Sequence, residues 1–301
     1  MLTFLTYYDI ISLEREVNNM ENYLELFLKQ IKIKGSDKTV KDYHTNISKF
    51  LTKYNKKIED YSYNDLVDYY ANDFTNLSTN SKRTYMAAIL SYFKFLYEQN
   101  IIKEDITKSF KMPKAEVKDM TYLTSSEALE VAKSCEMERR NPLRKKAMFI
   151  TLINTGMRAS ELSALKFSDI TDEWIYVNHG KGNKARKIPL HPSVANAIKE
   201  YVRKERKGNS EYVFVNKSNN PLTAVNIDRD LEKLLNNTKI NKHISAHRLR
   251  DSFATIQYVN GSDIKTIQET LGHSNIQMTL HYVQKVDEIR KQQVLCSGVQ
   301  F

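Results

Sequence analysis

Four stretches in the first third of the chain repeat their apolar residues every three or four positions, and that spacing commits the segment to a bundle of helices. Met20, Tyr23, Leu24, Phe27, Leu28 and Ile31 lie on one helix face. Val40, Tyr43, Ile47, Phe50, Leu51 and Tyr54 repeat the pattern behind Ser36, a natural N-cap. A third helix opens at Ser62, with Asp65 placed for a capping box, and buries Leu66, Tyr69, Tyr70 and Phe74. A fourth opens at Ser78 or Ser81 and buries Tyr85, Ala88, Ile89, Tyr92, Phe93 and Leu96. Short connections between amphipathic helices predict a small bundle over residues 20–110.

The pattern then breaks. Residues 111–120 carry Pro113 among lysines and glutamates and are expected to link two domains. Beyond them, residues 121–301 read as a mixed domain. Helices are expected over Ser125–Cys135 behind the Thr124 and Glu127 capping pair, over Pro142–Asn154 with Gly156 as the stop, and over Ala159–Leu165. The period changes to two in WIYVN (174–178) and ARKIPL (185–190), a hairpin around HGKGN (179–183), and YVFVN (212–216) is a third short strand. Helices resume at Pro192–Lys207, Thr223–Asn236, Ala246–Val259, Asp263–Leu271, Asn275–Tyr282 and Val286–Val294. The expected fold is mainly α, a helical bundle followed by a mixed α/β domain with a small β-hairpin.

Charge separates the halves as sharply as pattern does. Residues 1–113 hold 16 Lys and Arg against 15 Asp and Glu, whereas residues 114–301 hold 30 against 21. A formal charge of +10 suggests a polyanionic partner, nucleic acid before an acidic membrane surface. No apolar run approaches the ~18 residues of a membrane span. Cys135 and Cys296 form no ligand-like pair, which excludes a disulfide framework and suggests a reducing cytoplasm. Residues 1–19 make a poor signal peptide and are expected to be a disordered leader or the product of an upstream start codon.

Singly, the chemically able residues say little. Arg158 in NTGMRASEL reads as a surface arginine that pairs with Glu161 one turn on. Lys181 sits in a Gly-bracketed turn, His247 and Arg250 share a helix face, His273 lies between a helix stop and an N-cap, and Tyr282 is one of 18 tyrosines. His243 and His247 have metal-ligand spacing, but Ile244 stands where the glutamate of a zinc-protease motif belongs, and no carboxylate cluster suggests a two-metal nuclease.

As an ordered set these segments say much more. NTGMRASEL, GKGNKARKIPL, SAHRLRDSFAT and LGHSNIQMTLHY, in that order, resemble the tyrosine recombinases of the phage-integrase family. The resemblance is motif by motif in the second half and looser in the first, where the family has its core-binding domain. It implies that Arg158 and Arg250 are the catalytic arginines, Glu161 the acidic buttress of Arg158, Lys181 the hairpin lysine, His247 and His273 the catalytic histidines and Tyr282 the nucleophile. Asp251 departs from the pattern, since many relatives have histidine there, and is expected to affect packing only.

The implied function is site-specific DNA recombination through a 3′-phosphotyrosyl bond, with no cofactor and no metal. The implied partners are double-stranded DNA carrying recombination sites, clamped between the two halves, and further copies of the chain, four in the synaptic complex. The helix Ser81–Tyr97 and the basic helix Pro192–Lys207 are the expected DNA contacts, and Val286–Val294 is an expected docking helix for a neighbouring copy. Only about 20 residues precede the expected bundle, so an arm-binding domain is not expected, and the length resembles the Xer recombinases. Its tail lacks their His-Pro-Arg-Ala type ending, which turns the reading toward a mobile-element, plasmid or inversion enzyme. A type IB topoisomerase and a DNA-binding regulator derived from a recombinase are the alternatives.

Overall fold

The computed structural model describes residues 7–116, 121–178, 185–280, 282 and 286–287, with side chains described from residue 21 onward. The chain divides into two compact units, Met1–Lys118 and Asp119–Phe301.

The first unit is built from α1 (Tyr7–Lys34), α2 (Asp37–Tyr54), α3 (Tyr63–Asn72) and α4 (Thr79–Glu98). Ser36 caps α2 by accepting from the Thr39 N–H, and Ser62 and Asp65 close a capping box on α3. α4 takes Ser78 rather than Ser81 as its N-cap. The first helix starts at Tyr7, ahead of the expected Met20. Residues 7–19 contain neither Gly nor Pro to stop it, so part of the expected leader is helical. α2 packs on both α1 and α4 around an aromatic core. Phe50 is its hub, edge-on to Tyr69 at 5.0 Å and to Phe93 at 5.6 Å between ring centres. The start of the expected linker is fastened to α4. The Asn80 side chain donates to the Glu116 carbonyl (2.8 Å) and accepts from its N–H (3.1 Å).

The second unit contains α5 (Ser125–Ser134), α6 (Pro142–Thr155), α7 (Ala159–Ala164), β1 (Trp174–Val177), β2 (Arg186–Pro189), α8 (Pro192–Lys204), α9 (Ala224–Asn236), α10 (Ala246–Val259) and α11 (Ile264–Leu271). α6 is the central helix. It buries Ala147, Met148, Phe149 and Leu152 and packs against α8, α9 and α10. β1 and β2 form an antiparallel hairpin in which Ile175 faces Ile188 and Val177 faces Arg186. Residues 212–216 are not the expected strand. They make only single bridges, Tyr212 to Lys166 and Val215 to Pro221, because loop carbonyls such as Leu165 O take up the Val213 N–H (2.8 Å). α8 ends at Lys204, short of Lys207, and Arg206 turns back to donate to the carbonyls of Gly208, Ser210 and Tyr212. The expected helix 275–282 is helical over 277–280 and at Tyr282, and of the expected helix Val286–Val294 only Val286 and Asp287 lie among the described residues. No helix among the described residues is long and apolar enough to cross a membrane.

Candidate active site

The site is assembled at the ends of helices in the second unit. α6 stops at Gly156, whose φ of 61° is left-handed. A Cβ here would stand 2.6 Å from Leu271 Cδ2 and from Phe253 Cδ1, so glycine is needed for space as well as conformation. The chain then turns through Met157, and Arg158 caps α7. Its backbone N–H donates to Glu161 Oε2 and its Nη1 to Oε1, both at 2.8 Å. Arg186, from β2, grips the same carboxylate with both Nη atoms (2.9 and 2.7 Å), while its Nε donates to the Thr270 carbonyl at the end of α11 (2.7 Å). Burial alone would push the Glu161 carboxyl up, but the hydrogen bonds and charges of Arg186 and then Arg158 outweigh it and hold the group at about 2.

This buttress predicts a pH-dependent stability. Glu161 titrates lower in the folded chain (about 2) than its ordinary 4.5, so its stabilisation is full above pH 4.5 and is lost as pH falls through about 2. Glu161→Gln leaves two guanidinium groups facing a neutral amide and is expected to lower unfolding stability by about 3 kcal/mol at pH 7. Urea unfolding of both proteins across pH checks this, because their difference must shrink as pH falls from 4.5 toward 2. A difference that holds constant over that range refutes the ion-pair account.

Among the described residues Arg250 is the most enclosed cation, at 2% exposure. It reaches from α10 between two helix ends, with Nη1 donating to Gly156 O (2.8 Å) and Nη2 to Leu271 O (2.6 Å). Carbonyls at helix C-termini lack intrahelical partners and sit at the negative end of the dipole, so they suit a buried cation. Burial and then the Arg158 charge bring its guanidinium down to about 10, which leaves it charged at neutral pH. The two carbonyls occupy two of its five N–H bonds.

Gly272 ends α11 with a φ of 68° and delivers His273 into the same pocket. The His273 Nδ1 lies 3.0 Å from Thr279 Oγ1. Burial, then the charges of Arg250, Arg158 and Arg186, hold the imidazole at about 4, so it is neutral at pH 7. A Thr279 hydroxyl that donates to Nδ1 would leave Nε2 as the ring's donor.

The Tyr282 ring stacks on His273 at 6.3 Å with a 14° tilt and packs with Phe253, Ile267 and Leu271. Its hydroxyl donates to Asp251 Oδ1 at 2.9 Å. Burial, then the charge and hydrogen bond of Asp251, push the phenol above its ordinary range, while Arg250 and Arg158 pull the other way. Asp251 Oδ2 is 3.3 Å from Arg248 Nη1, and Oδ1 is 4.0 Å from His247 Nε2. His247 itself is 77% exposed.

Arg158, Glu161, Arg250, His273 and Tyr282 therefore gather in one cluster, His247 stands at its exposed edge beside Asp251, and Lys181 lies outside the described residues. Two participants escaped the sequence reading. Arg186 shares the inward face of β2 with Ile188, and an arginine on a buried strand face requires a partner. Asp251 was expected to affect packing alone, yet it holds the phenol hydroxyl, and the signal was its place beside Arg250 where relatives have histidine. Among the described residues no group of three His, Cys, Asp or Glu side chains is placed to hold a metal ion.

Residues 121–288, which contain this cluster of cations and the buried tyrosine, match the Phage integrase family. The chain belongs to the phage integrase family. It is 30% identical to the tyrosine recombinase XerC of Bacillus licheniformis over 91% of this chain and 95% of that protein. It is 36% identical to the tyrosine recombinase XerD of Halalkalibacterium halodurans over 65% of this chain and 68% of that protein. In fold it is similar to the XerH site-specific recombinase solved on a palindromic difH substrate after cleavage, with a TM-score of 0.74 at 22% identity, covering 96% of this chain and 89% of that one.

Proposed function

We propose that Tyr282 cuts duplex DNA by forming a 3′-phosphotyrosyl bond, which a 5′-hydroxyl then reverses to join new strands. As a member of its family the chain is a site-specific DNA recombinase. The observation that carries the mechanism is the pocket itself. Arg158 and Arg250 lie close enough to the Tyr282 hydroxyl to act on its ionisation, and neutral His273 stacks on its ring.

The chemistry follows from charge. Attack on a phosphodiester builds negative charge on the non-bridging oxygens, and guanidinium forks match that geometry with paired hydrogen bonds. Arg158 and Arg250 take those oxygens, and His273 Nε2–H adds a third donor. As the Tyr282 Oη–phosphorus bond forms, the phenol proton passes to His247 and the phosphorus–O5′ bond breaks. O5′ leaves as a hydroxyl with a proton from Lys181. The phosphate ester energy stays in the tyrosyl link, so joining requires no cofactor. The first unit and the basic helix α8 hold the duplex chiefly by phosphate contacts. Four copies join two DNA sites in the synaptic complex, and the cytoplasm is where the reaction takes place.

The test is a nicked suicide substrate drawn from the DNA that flanks the gene. The expected result is a covalent protein–DNA adduct whose proteolysis yields a DNA-linked peptide containing Tyr282; an adduct on any other residue overturns the reading. Lys181→Ala is expected to slow cleavage by about 10²–10⁴-fold, the usual contribution of a general acid. A substrate with a 5′-thio leaving group needs no protonation, so it restores most of that rate if Lys181 is the acid. If the thio substrate fails to restore it, Lys181 has another role.

A further inference from the structure

Asp251 holds the one atom on which the chemistry depends. Its carboxylate is buried, with Asp251 4% exposed, and accepts a hydrogen bond from the Tyr282 hydroxyl at 2.9 Å. We propose that Asp251 is a brake on the nucleophile: its carboxylate keeps the Tyr282 hydroxyl protonated and tethered, so that cleavage begins only when this hydrogen bond is given up. The proposal rests on the reading of Tyr282 as nucleophile.

Geometry separates a brake from a base. To serve as the base, Asp251 Oδ1 would have to take the phenol proton and become a neutral acid. Its other oxygen faces Arg248 Nη1 at 3.3 Å, and His247 Nε2 lies 4.0 Å from Oδ1. An ordinary phenol, at about 10, holds its proton far more tightly than an ordinary carboxyl group, at about 4. The proton therefore stays on Oη, directed at the carboxylate, and the phenolate that must form would stand 2.9 Å from a second anion. Burial acts in the same direction as Asp251, and the opposing cations, Arg250 on α10 and Arg158 ahead of α7, act more weakly. From the segment after α11, His273 faces the Tyr282 ring as a neutral group.

A tether of this kind has a use in a strand-transfer enzyme. With the phenol protonated and 6% exposed, the chain can sample duplex DNA without cutting it. An event that draws Asp251 away, through Arg248 or through His247 on the exposed side, frees the hydroxyl. Arrival of a phosphate between Arg158 and Arg250 is such an event if it attracts either neighbour.

The experiment is single-turnover cleavage of the nicked substrate across pH 6 to 9.5, with duplex affinity measured in parallel. Asp251→Asn keeps an acceptor oxygen and removes the charge. It is expected to move the rising limb of the pH profile about one unit lower and to speed cleavage at pH 7 about tenfold, with unchanged affinity. Asp251→Glu keeps the charge and is expected to leave the limb in place. Both variants retain His247 and Arg248, so the shift is read as the difference from the unsubstituted chain. A slower Asp251→Asn enzyme with an unmoved or vanished limb makes Asp251 a base or a packing residue and overturns the proposal. An unchanged profile and rate overturn it too. If Asp251→Asn does not fold, an Asp251→Glu limb that moves as far as one unit overturns it. Tyr282→Phe run alongside keeps the two readings apart: an adduct from Tyr282→Phe removes the nucleophile, whereas an inert Tyr282→Phe beside an unshifted Asp251→Asn removes the brake alone.

Discussion

Tyr282→Phe will yield no covalent adduct on a nicked substrate while binding duplex DNA as the unsubstituted chain does. The substitution deletes one oxygen. The ring keeps its stack on His273 at 6.3 Å and its packing with Phe253, Ile267 and Leu271, so the pocket retains its shape. Asp251 loses a donor but keeps Arg248, which limits the penalty of an unpaired buried carboxylate. Loss of a covalent nucleophile removes the pathway rather than slowing it, so the expected rate is background. Gel-shift affinity and denaturing-gel adduct yield measure the two halves of the expectation. Adduct at any yield on the Tyr282 peptide's position after this substitution, or loss of duplex binding, would sink it.

Arg250→Ala carries the second large effect. Removing a preorganised donor to a developing oxyanion costs about 3 kcal/mol, or ~10²–10³-fold in the chemical step. Here the side chain also joins Gly156 O to Leu271 O, so the alanine variant leaves two helix-end carbonyls in the interior without a donor. It is expected to lose both cleavage and unfolding stability. Arg250→Lys separates the two. A lysine retains the charge and can reach one carbonyl, but it lacks the fork that serves a carbonyl and a phosphate at once. The lysine variant is expected to recover much of the stability and little of the cleavage rate. Single-turnover cleavage and urea unfolding on the same preparations decide it, and recovery of both together would assign Arg250 to the scaffold alone.

The parts of this molecule legible in the sequence are those set by local rules. Ser36, Ser62 with Asp65, and Thr124 with Glu127 mark helix starts in the structure through their capping side chains, and Gly156 marks a helix end through its left-handed backbone. The bundle's apolar faces are one-dimensional signals, and Phe50 could be placed in its core from spacing alone. What could not be read depends on distant pairings. The segment 212–216 has strand composition, but its backbone partners lie in loops, and no local pattern encodes that. Arg186 meets Glu161 across 25 residues, and Tyr282 meets Asp251 across 31. Arg158 looked like a surface residue because its role lies in what Glu161 and Arg186 do to it. The motif set grouped Arg158, Glu161, Arg250, His273 and Tyr282, and the structure adds who restrains whom among them.

The bonds made by Arg250 set an order of events in the life of each new chain. Its two acceptors lie 94 residues before it and 21 after it, and neither contact is local. Contacts of such separation form late, after the elements they join have closed their loops. A partly folded polypeptide on or just off the ribosome carries basic helices that can attract nucleic acid, but its anion grip does not yet exist. A guanidinium held by Gly156 O and Leu271 O is thereby absent from unfinished copies, in which those helix ends have not yet met.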